Sequence, residues 1–235
     1  FTVWKQGRAE TYRVGPAHVD LVLLTGQSNS YYCTSPQYWP DGDSYVLEHD
    51  PGASPLEPGA AFYFGVPQYS GDRAGIATRA NLAECGIVDM TAPDGSVRVA
   101  ATYPVYMYDW IEMTGHRVVM VNSGIGGRSI ASFMPGGDCY AWTKDVMAAA
   151  LDALDPARFS VDPAGVLWSQ GEADRDMPVA DYEGYLVRLL NYFEDGEFGI
   201  SFTDMYSTLP THFGEPGDFN SAIAQMNVAS YDARF

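Results

Sequence analysis

Lysine, cysteine and long apolar runs are all scarce in this sequence. Only Lys5 and Lys144 are lysines among 13 basic residues, which face 30 acidic residues and leave a formal net charge of −17. A surface of this kind repels nucleic-acid phosphates and anionic lipid headgroups, so we expect neither nucleic acid nor a membrane as a partner. It fits a high-salt setting, although a GC-rich genome explains the preference for Arg over Lys equally well. No apolar run approaches the roughly 18 residues of a membrane-spanning helix.

The three cysteines, Cys33, Cys85 and Cys139, cannot all pair within one chain. None has the spacing of a metal site. The sequence leaves open whether two of them form a disulfide and leave the third as a free thiol. The chain begins at Phe1 without Met or a charged-then-apolar leader, so we expect it to be processed or part of something longer.

Short apolar runs that end at glycine predict buried parallel strands at residues 19–25, 117–122 and 164–170. Residues 200–209 are a weaker fourth candidate. Between and after these runs, apolar residues recur at the spacing of a helix, which predicts helices at residues 101–114, 142–154, 179–193 and 220–235. This alternation predicts an α/β fold, a three-layer α/β/α sandwich around a central parallel sheet, with its final strand apparently missing.

The segment from residue 31 to about residue 97 breaks this rhythm. It is rich in Pro, Gly, Asp and Tyr, and we interpret it as a long insertion into one domain spanning residues 1–235. Its aromatic residues Tyr31, Tyr32 and Trp39 suit a sugar-binding rim or, equally, the core.

The turn after the first predicted strand reads Gly26-Gln27-Ser28-Asn29. A serine just past a buried strand has its hydroxyl at the sheet edge and its N–H facing the place where an oxyanion forms. Ser28 is therefore a candidate nucleophile. The alternative is a helix N-cap, for which Ser and Asn are favoured.

Two more glycine-containing turns follow the next strands. Residues 123–130 read SGIGGRSI, and Ser129 stands where a dinucleotide loop needs its third glycine, so that fingerprint fails. A plain structural turn is the alternative. Residues 168–174 read WSQGEAD, in which the Gln170 amide is a potential oxyanion donor and Glu172 can orient a histidine. Asp174, Arg175 and Asp176 can equally form a solvated charge cluster.

Taken together, the three turns resemble the SGNH hydrolases, in the branch of sialate O-acetylesterases and acetylxylan esterases. Residues 26–29 match its GQSN block, residues 126–130 resemble GGTSI with Arg128 in place of Thr, and residues 170–174 match QGE-x-D. The resemblance implies an acyl-enzyme mechanism without metal or cofactor. It implies Ser28 as nucleophile, with Ser28 N–H, a glycine N–H (Gly127 favoured over Gly126) and the Gln170 amide as oxyanion donors. Glu172 would support the base, and the neighbouring polar residues of the blocks are the substrate-binding candidates: Gln27, Asn29, Arg128 and Asp174.

The resemblance fails at the general base, because the family's final Asp-x-x-His block is absent from the sequence. His212, after the fourth predicted strand, is the candidate base, with a plain loop histidine as the alternative. His18 and His116 fall at the wrong end of the predicted sheet. We expect a chain that is incomplete at its C-terminus; a base from another chain, or loss of the base, are the alternatives.

Two functions follow from these patterns. The first is a serine esterase that removes O-acetyl or similar short acyl groups from an acetylated carbohydrate. The second is a catalytically inactive carbohydrate-binding or structural module of a larger surface or virion assembly, for which an extracellular or assembly-bound location is expected. Retention of Ser28, Gln170 and Glu172 together favours the esterase.

Overall fold

The computed structural model describes residues 2–5, 8–11, 15–26, 56–66, 77–93, 102–208 and 219–235. Gln27, Ser28, Asn29, Cys33 and His212 lie outside this part of the chain.

A six-stranded sheet forms the centre of the molecule, in the order β5-β4-β6-β3-β7-β8. Its strands are β3 (Ala17–Gly26), β4 (Ala61–Gly65), β5 (Gly86–Asp89), β6 (Arg117–Asn122), β7 (Phe159–Ser169) and β8 (Met205–Ser207). A separate antiparallel pair precedes it, formed by β1 (Thr2–Lys5) and β2 (Arg8–Thr11). The helices are α1 (Thr102–Thr114), α2 (Asp138–Ala153), α3 (Val179–Glu194) and α4 (Asn220–Tyr231).

The predicted strands and helices are confirmed, with shifts at their ends. The strand expected at residues 164–170 begins earlier, at Phe159, and the fourth candidate shrinks to Met205–Ser207. The sheet is mixed and not wholly parallel, because β5 runs antiparallel to β4 at the edge. Both of these strands lie within residues 31–97, where the sequence pattern predicted only an insertion. Their runs of four and five residues are too short to stand out among the surrounding Pro and Gly residues.

Helices cover both faces of the sheet, which makes three layers. On one face Val19, Leu21 and Leu23 of β3 pack in a core with side chains of α2, α3 and α4. On the other face Val22 and Leu24 pack with Met107 of α1. This alternation is the two-residue period of a strand buried on both sides. None of the described helices is both long and apolar enough to cross a membrane.

The central position of β3 fixes where a site can form. Its neighbours β6 and β7 both run parallel to it, so the three carboxyl ends meet at one edge of the sheet. Ligands of open α/β sheets collect at this edge, where the strand order reverses.

Candidate active site

Gly26 ends β3 in a conformation that other residues rarely adopt. Its φ is +126°, and a Cβ added there would lie 2.1 Å from the Ser169 carbonyl oxygen at the end of β7. The Gly26 carbonyl accepts a hydrogen bond from the Ile125 N–H at 2.9 Å. Glycine is therefore required where the chain leaves β3, between the turns that follow β6 and β7.

Buried hydroxyl groups hold the end of β6 beside the end of β3. Ser123 Oγ donates to Thr25 Oγ1 at 2.8 Å, and Thr143 Oγ1 of α2 donates to Ser123 Oγ at 3.1 Å. Asn122 Oδ1 accepts from the Gly124 N–H at 2.8 Å and starts the turn. Because all three hydroxyls are buried, these bonds are needed to offset their removal from water.

Gly126 and Gly127, in the turn after β6, are exposed at the sheet edge. Gly127 has a φ of +70°, and among the described residues no acceptor engages the N–H of Gly126 or Gly127. Arg128 extends over the surface, where its guanidinium lies 3.0 Å from the Asp138 carboxylate. Ser129 caps a short 3-10 helix, Ile130–Phe133, by accepting from the Ala131 N–H at 3.3 Å. The turn thus presents two backbone donors beside a cationic side chain.

The Gln170 side chain points into the protein and not toward the edge. Only 1% of the residue is exposed. Its Nε2 donates to the Arg128 carbonyl at 3.0 Å and to Asp174 Oδ2 at 2.5 Å, and its Oε1 accepts from the Tyr182 hydroxyl at 2.6 Å. Both amide hydrogens are therefore engaged with the protein. The oxyanion-donor role that the sequence predicted for this amide stays a prediction.

The Asp174 carboxylate supports the same turn from the buried side. It is 6% exposed, and its Oδ2 accepts from the Ile130 N–H at 2.7 Å as well as from Gln170. The solvated-cluster alternative fits Arg175 and Asp176, which are exposed and pair at 3.3 Å, but not Asp174. The carboxylate already accepts hydrogen bonds from a backbone N–H and an amide, as buried polar groups require, and its predicted substrate-binding role stays a prediction.

A second layer of polar groups from α3 and α4 was not predicted. Gln225 Nε2 donates to the Gln170 carbonyl at 2.8 Å and to the Tyr182 hydroxyl at 3.2 Å, and Ser207 Oγ donates to Gln225 Oε1. Burial, aided by the Asp174 and Glu172 charges, raises the pKa of the Tyr182 phenol, so it stays protonated and can donate. The sequence pattern placed Tyr182 only within the helix predicted at residues 179–193.

Glu172 is the remaining described candidate at this edge. It is half-buried and opens a short 3-10 helix, Glu172–Asp174, which begins three residues after the end of β7. The structure thus brings together the 124–129 turn, Gln170, Glu172 and Asp174. The nucleophile candidate Ser28, its neighbours Gln27 and Asn29, and the base candidate His212 lie outside the described residues.

The two described cysteines do not pair with each other. Cys85 and Cys139 are free thiols, and Cys139 is fully buried. Burial, with a smaller contribution from Glu84, raises the pKa of Cys85 to about 11. Burial is also the main cause that raises the pKa of Cys139 to about 12. Neither thiol is activated as a nucleophile.

Residues 96–197 match a family model described as the carbohydrate esterases, sialic acid-specific acetylesterase. The matched stretch contains the turns after β6 and β7, and the Gly26–Asn29 block precedes it. No curated protein matches the chain in sequence.

Two solved structures are similar to this chain over most of its length. A protein from Arabidopsis thaliana has a TM-score of 0.52 and 17% identity, over 89% of this chain and 81% of its own. A carbohydrate acetylesterase from Xanthomonas citri has a TM-score of 0.54 and 17% identity, over 90% of this chain. The present chain covers 48% of that esterase, about half its length. At this identity the two structures establish the fold. The family match confirms the resemblance to the sialate O-acetylesterase branch, and it supports a carboxylic ester hydrolase acting on carbohydrate.

Proposed function

We propose that the chain is a serine esterase that removes O-acetyl or similar short acyl groups from a carbohydrate through an acyl-enzyme. The observation that carries this proposal is the meeting of the turns after β6 and β7 at the edge where β3 ends. Gly26 is held between them by its strand pairing with Ser169 and by the hydrogen bond that its carbonyl accepts from Ile125. Ser28 follows Gly26 by two residues, so covalent geometry keeps their Cα atoms within about 7 Å of each other.

In the proposed reaction, Ser28 Oγ attacks the ester carbonyl while a base takes its proton. The tetrahedral oxyanion accepts hydrogen bonds from the N–H groups of Ser28 and Gly127, and each such donor typically contributes about 10²–10³ in rate. The intermediate collapses, and the base returns the proton to the departing sugar oxygen. Water then cleaves the acyl-serine ester by the same route in reverse and releases the acid.

Gln170 takes a positioning role in this scheme. Its amide holds the Arg128 carbonyl at 3.0 Å, which fixes the peptide that follows Arg128, one residue beyond Gly127. To act as an oxyanion donor, it would have to exchange this carbonyl or Asp174 for the substrate oxygen. Preorganised backbone donors need a rigid turn, and the buried Gln170–Asp174 pair supplies that rigidity.

The remaining roles belong to residues around the turn. Arg128 is 47% exposed in its side chain and is held beside the turn by Asp138, so it can donate to sugar hydroxyls. Gln27 and Asn29 are further substrate-binding candidates. His212 is the proposed base, and Glu172 its support.

The experiment compares two serines, Ser28 and Ser30, that are separated by one residue. Purified protein is treated with a fluorophosphonate probe, the labelled peptide is identified by mass spectrometry, and acetate release from acetylated xylan is measured. Ser28→Ala should abolish labelling and lower turnover by about 10⁴-fold or more. Ser30→Ala is the matched control and should keep both labelling and turnover.

His212→Asn tests the proposed base in the same assays. Loss of both labelling and acetate release would support His212 as the base. Unchanged activity would contradict that role and mean that another residue is the base. Absence of labelling at Ser28 in the full natural polypeptide would overturn the esterase and favour the binding module. Binding of acetylated xylan without acetate release would then identify that alternative.

A further inference from the structure

Four ionisable side chains meet at the end of the sheet opposite the candidate active site. His18 and Asp20 lie two residues apart on β3, and therefore on one face of the strand. The register that pairs Val19 with Arg117 brings His18 beside His116, which immediately precedes β6. On the other side, Asp20 pairs directly with Asp162 of β7. Three neighbouring strands thus supply two imidazoles and two carboxylates to one place.

The donor atoms of this group have the spacing of a metal site. His116 Nδ1 lies 3.1 Å from Asp20 Oδ1, and His18 Nε2 lies 4.0 Å from the same oxygen. His18 Nε2 is also 3.5 Å from Asp162 Oδ2. One donor atom each from His18, Asp20 and His116 lie within 4.8 Å of one another. Ligand atoms in a tetrahedral zinc site, with bonds of about 2.0–2.2 Å, are roughly 3.3 Å apart. The separation between His116 and Asp20 already fits this value, whereas the His18 imidazole has to move closer to Asp20.

The burial of Asp20 calls for a positive charge. Only 7% of its side chain is exposed, and the Trp110 Nε1–H of α1 donates to its Oδ2 at 2.8 Å. This bond orients the carboxylate and leaves Oδ1 directed at the imidazoles, which is how a supporting residue holds a metal ligand. Asp162 lies directly opposite Asp20, and like charges at paired positions repel each other. A bound cation would offset both the burial of the Asp20 charge and its repulsion from Asp162.

The group is open to an incoming ion. The side chains of His18 and His116 are 46% and 51% exposed. A cavity of about 890 Å³ adjoins His116, lined also by Asp20 and Asp162 and by apolar side chains such as Met113 and Leu167. Water or a small ligand in this cavity can complete the coordination.

We propose that His18 Nε2, His116 Nδ1 and Asp20 Oδ1 bind a zinc-class divalent ion, with Asp162 as the fourth ligand. Two imidazoles with carboxylates favour Zn²⁺, Co²⁺ or Ni²⁺ over Mg²⁺ and Ca²⁺, which prefer oxygen ligands alone. The ion cross-links the amino-terminal ends of β3, β6 and β7. It lies at the far end of the strands from Gly26 and takes no part in the proposed ester hydrolysis.

The test uses tag-free protein that has been dialysed against a chelator. Zn²⁺ is titrated calorimetrically, and Co²⁺ is added as a visible-absorption probe of tetrahedral N/O coordination. We expect one ion per chain and a higher melting temperature with Zn²⁺. His18→Gln and His116→Gln should weaken affinity at least about tenfold. Asp109→Asn is the matched control, because Asp109 lines the same cavity outside the ligand group, and it should bind as the wild type does.

Absence of stoichiometric uptake would overturn the proposal, as would equal affinity in the wild type and the folded His116→Gln protein. Circular dichroism establishes that each variant is folded. If a histidine variant does not fold, the Co²⁺ absorption spectrum of the wild-type protein tests the proposed ligands instead. A spectrum of octahedral oxygen coordination, or no change in absorption, would contradict them. None of these readouts depends on ester hydrolysis, so either proposal can fail alone.

Discussion

At the scale of single residues, the Tyr182 hydroxyl sets the direction of the Gln170 amide. It donates to Gln170 Oε1 and accepts from Trp168 Nε1 at 3.4 Å and Gln225 Nε2 at 3.2 Å. Tyr182→Phe keeps the ring but leaves buried polar groups without their partner. We expect the free energy of unfolding, measured in urea, to fall by about 1–3 kcal/mol. We also expect kcat to fall more than KM rises, because the turn carrying Gly127 loosens.

Tyr140→Phe is the matched control for this substitution. The Tyr140 hydroxyl donates to Glu197 Oε2 at 2.8 Å at the exposed surface, where water replaces the lost bond. Its removal should cost less than about 1 kcal/mol. Equal stability of the two variants would show that the phenol does not hold the Gln170 amide.

The sequence indicated which blocks meet at this edge but not the directions of their side chains. Gly126, Gly127 and Gln170 are brought together because parallel strands end at one edge, which the apolar runs already predicted. The inward direction of Gln170 depends on Arg128, 42 residues earlier, and on Tyr182 of a later helix. Contacts of such long range leave no local pattern, so the buried role of Asp174 was missed in the same way.

At the scale of elements, Arg234 ties the end of the described chain to α3 and β8. Its guanidinium lies 2.5 Å from Glu194 and 2.7 Å from Asp232, and its carbonyl accepts from the Met205 N–H. The hydrogen bond from Arg234 lowers the pKa of Asp232. A pKa that is lower in the folded state adds stability above the unfolded value, about 3.9, and this stability disappears as pH falls through the folded value.

We therefore expect Asp232→Asn to lower the free energy of unfolding by about 1 kcal/mol at neutral pH. The difference from the wild type should shrink toward zero as urea unfolding is repeated below about pH 3. Asp176→Asn is the control, since that carboxylate is 88% exposed and should matter little at any pH. A stability difference between Asp232→Asn and the wild type that persists unchanged in acid would contradict the lowered pKa of Asp232 as its cause.

Strand length decided which elements the sequence could reveal. β3, β6 and β7 carry six or more residues with long apolar runs, and all three were predicted. β4 and β5 have five and four residues, and three of the four in β5 are only half-buried. Their place in the sheet depends on pairing with β6 and with each other, which a short run does not specify.

At the scale of the whole molecule, the charge imbalance is too large for pairing to neutralise. Even if each of the 13 basic residues compensated one of the 30 acidic residues, 30 − 13 = 17 carboxylates would remain. Their mutual repulsion is greater in the compact state than in the expanded chain, so it lowers the free energy of unfolding. Screening by salt should restore part of that loss.

We expect the melting temperature to rise when NaCl is increased from about 0.01 M to about 1 M, which shortens the Debye length from about 30 Å to about 3 Å. A gain of about 1 kcal/mol corresponds to roughly 2–4 °C in a domain of this size. Calorimetric scans at several salt concentrations should show most of the rise below about 0.3 M, because screening saturates once the Debye length is shorter than the spacing between charges. A rise that continues evenly to high salt would instead indicate exclusion of salt from the protein surface. A flat or falling curve would show that the carboxylates are spaced so widely that repulsion does not limit the stability of this fold.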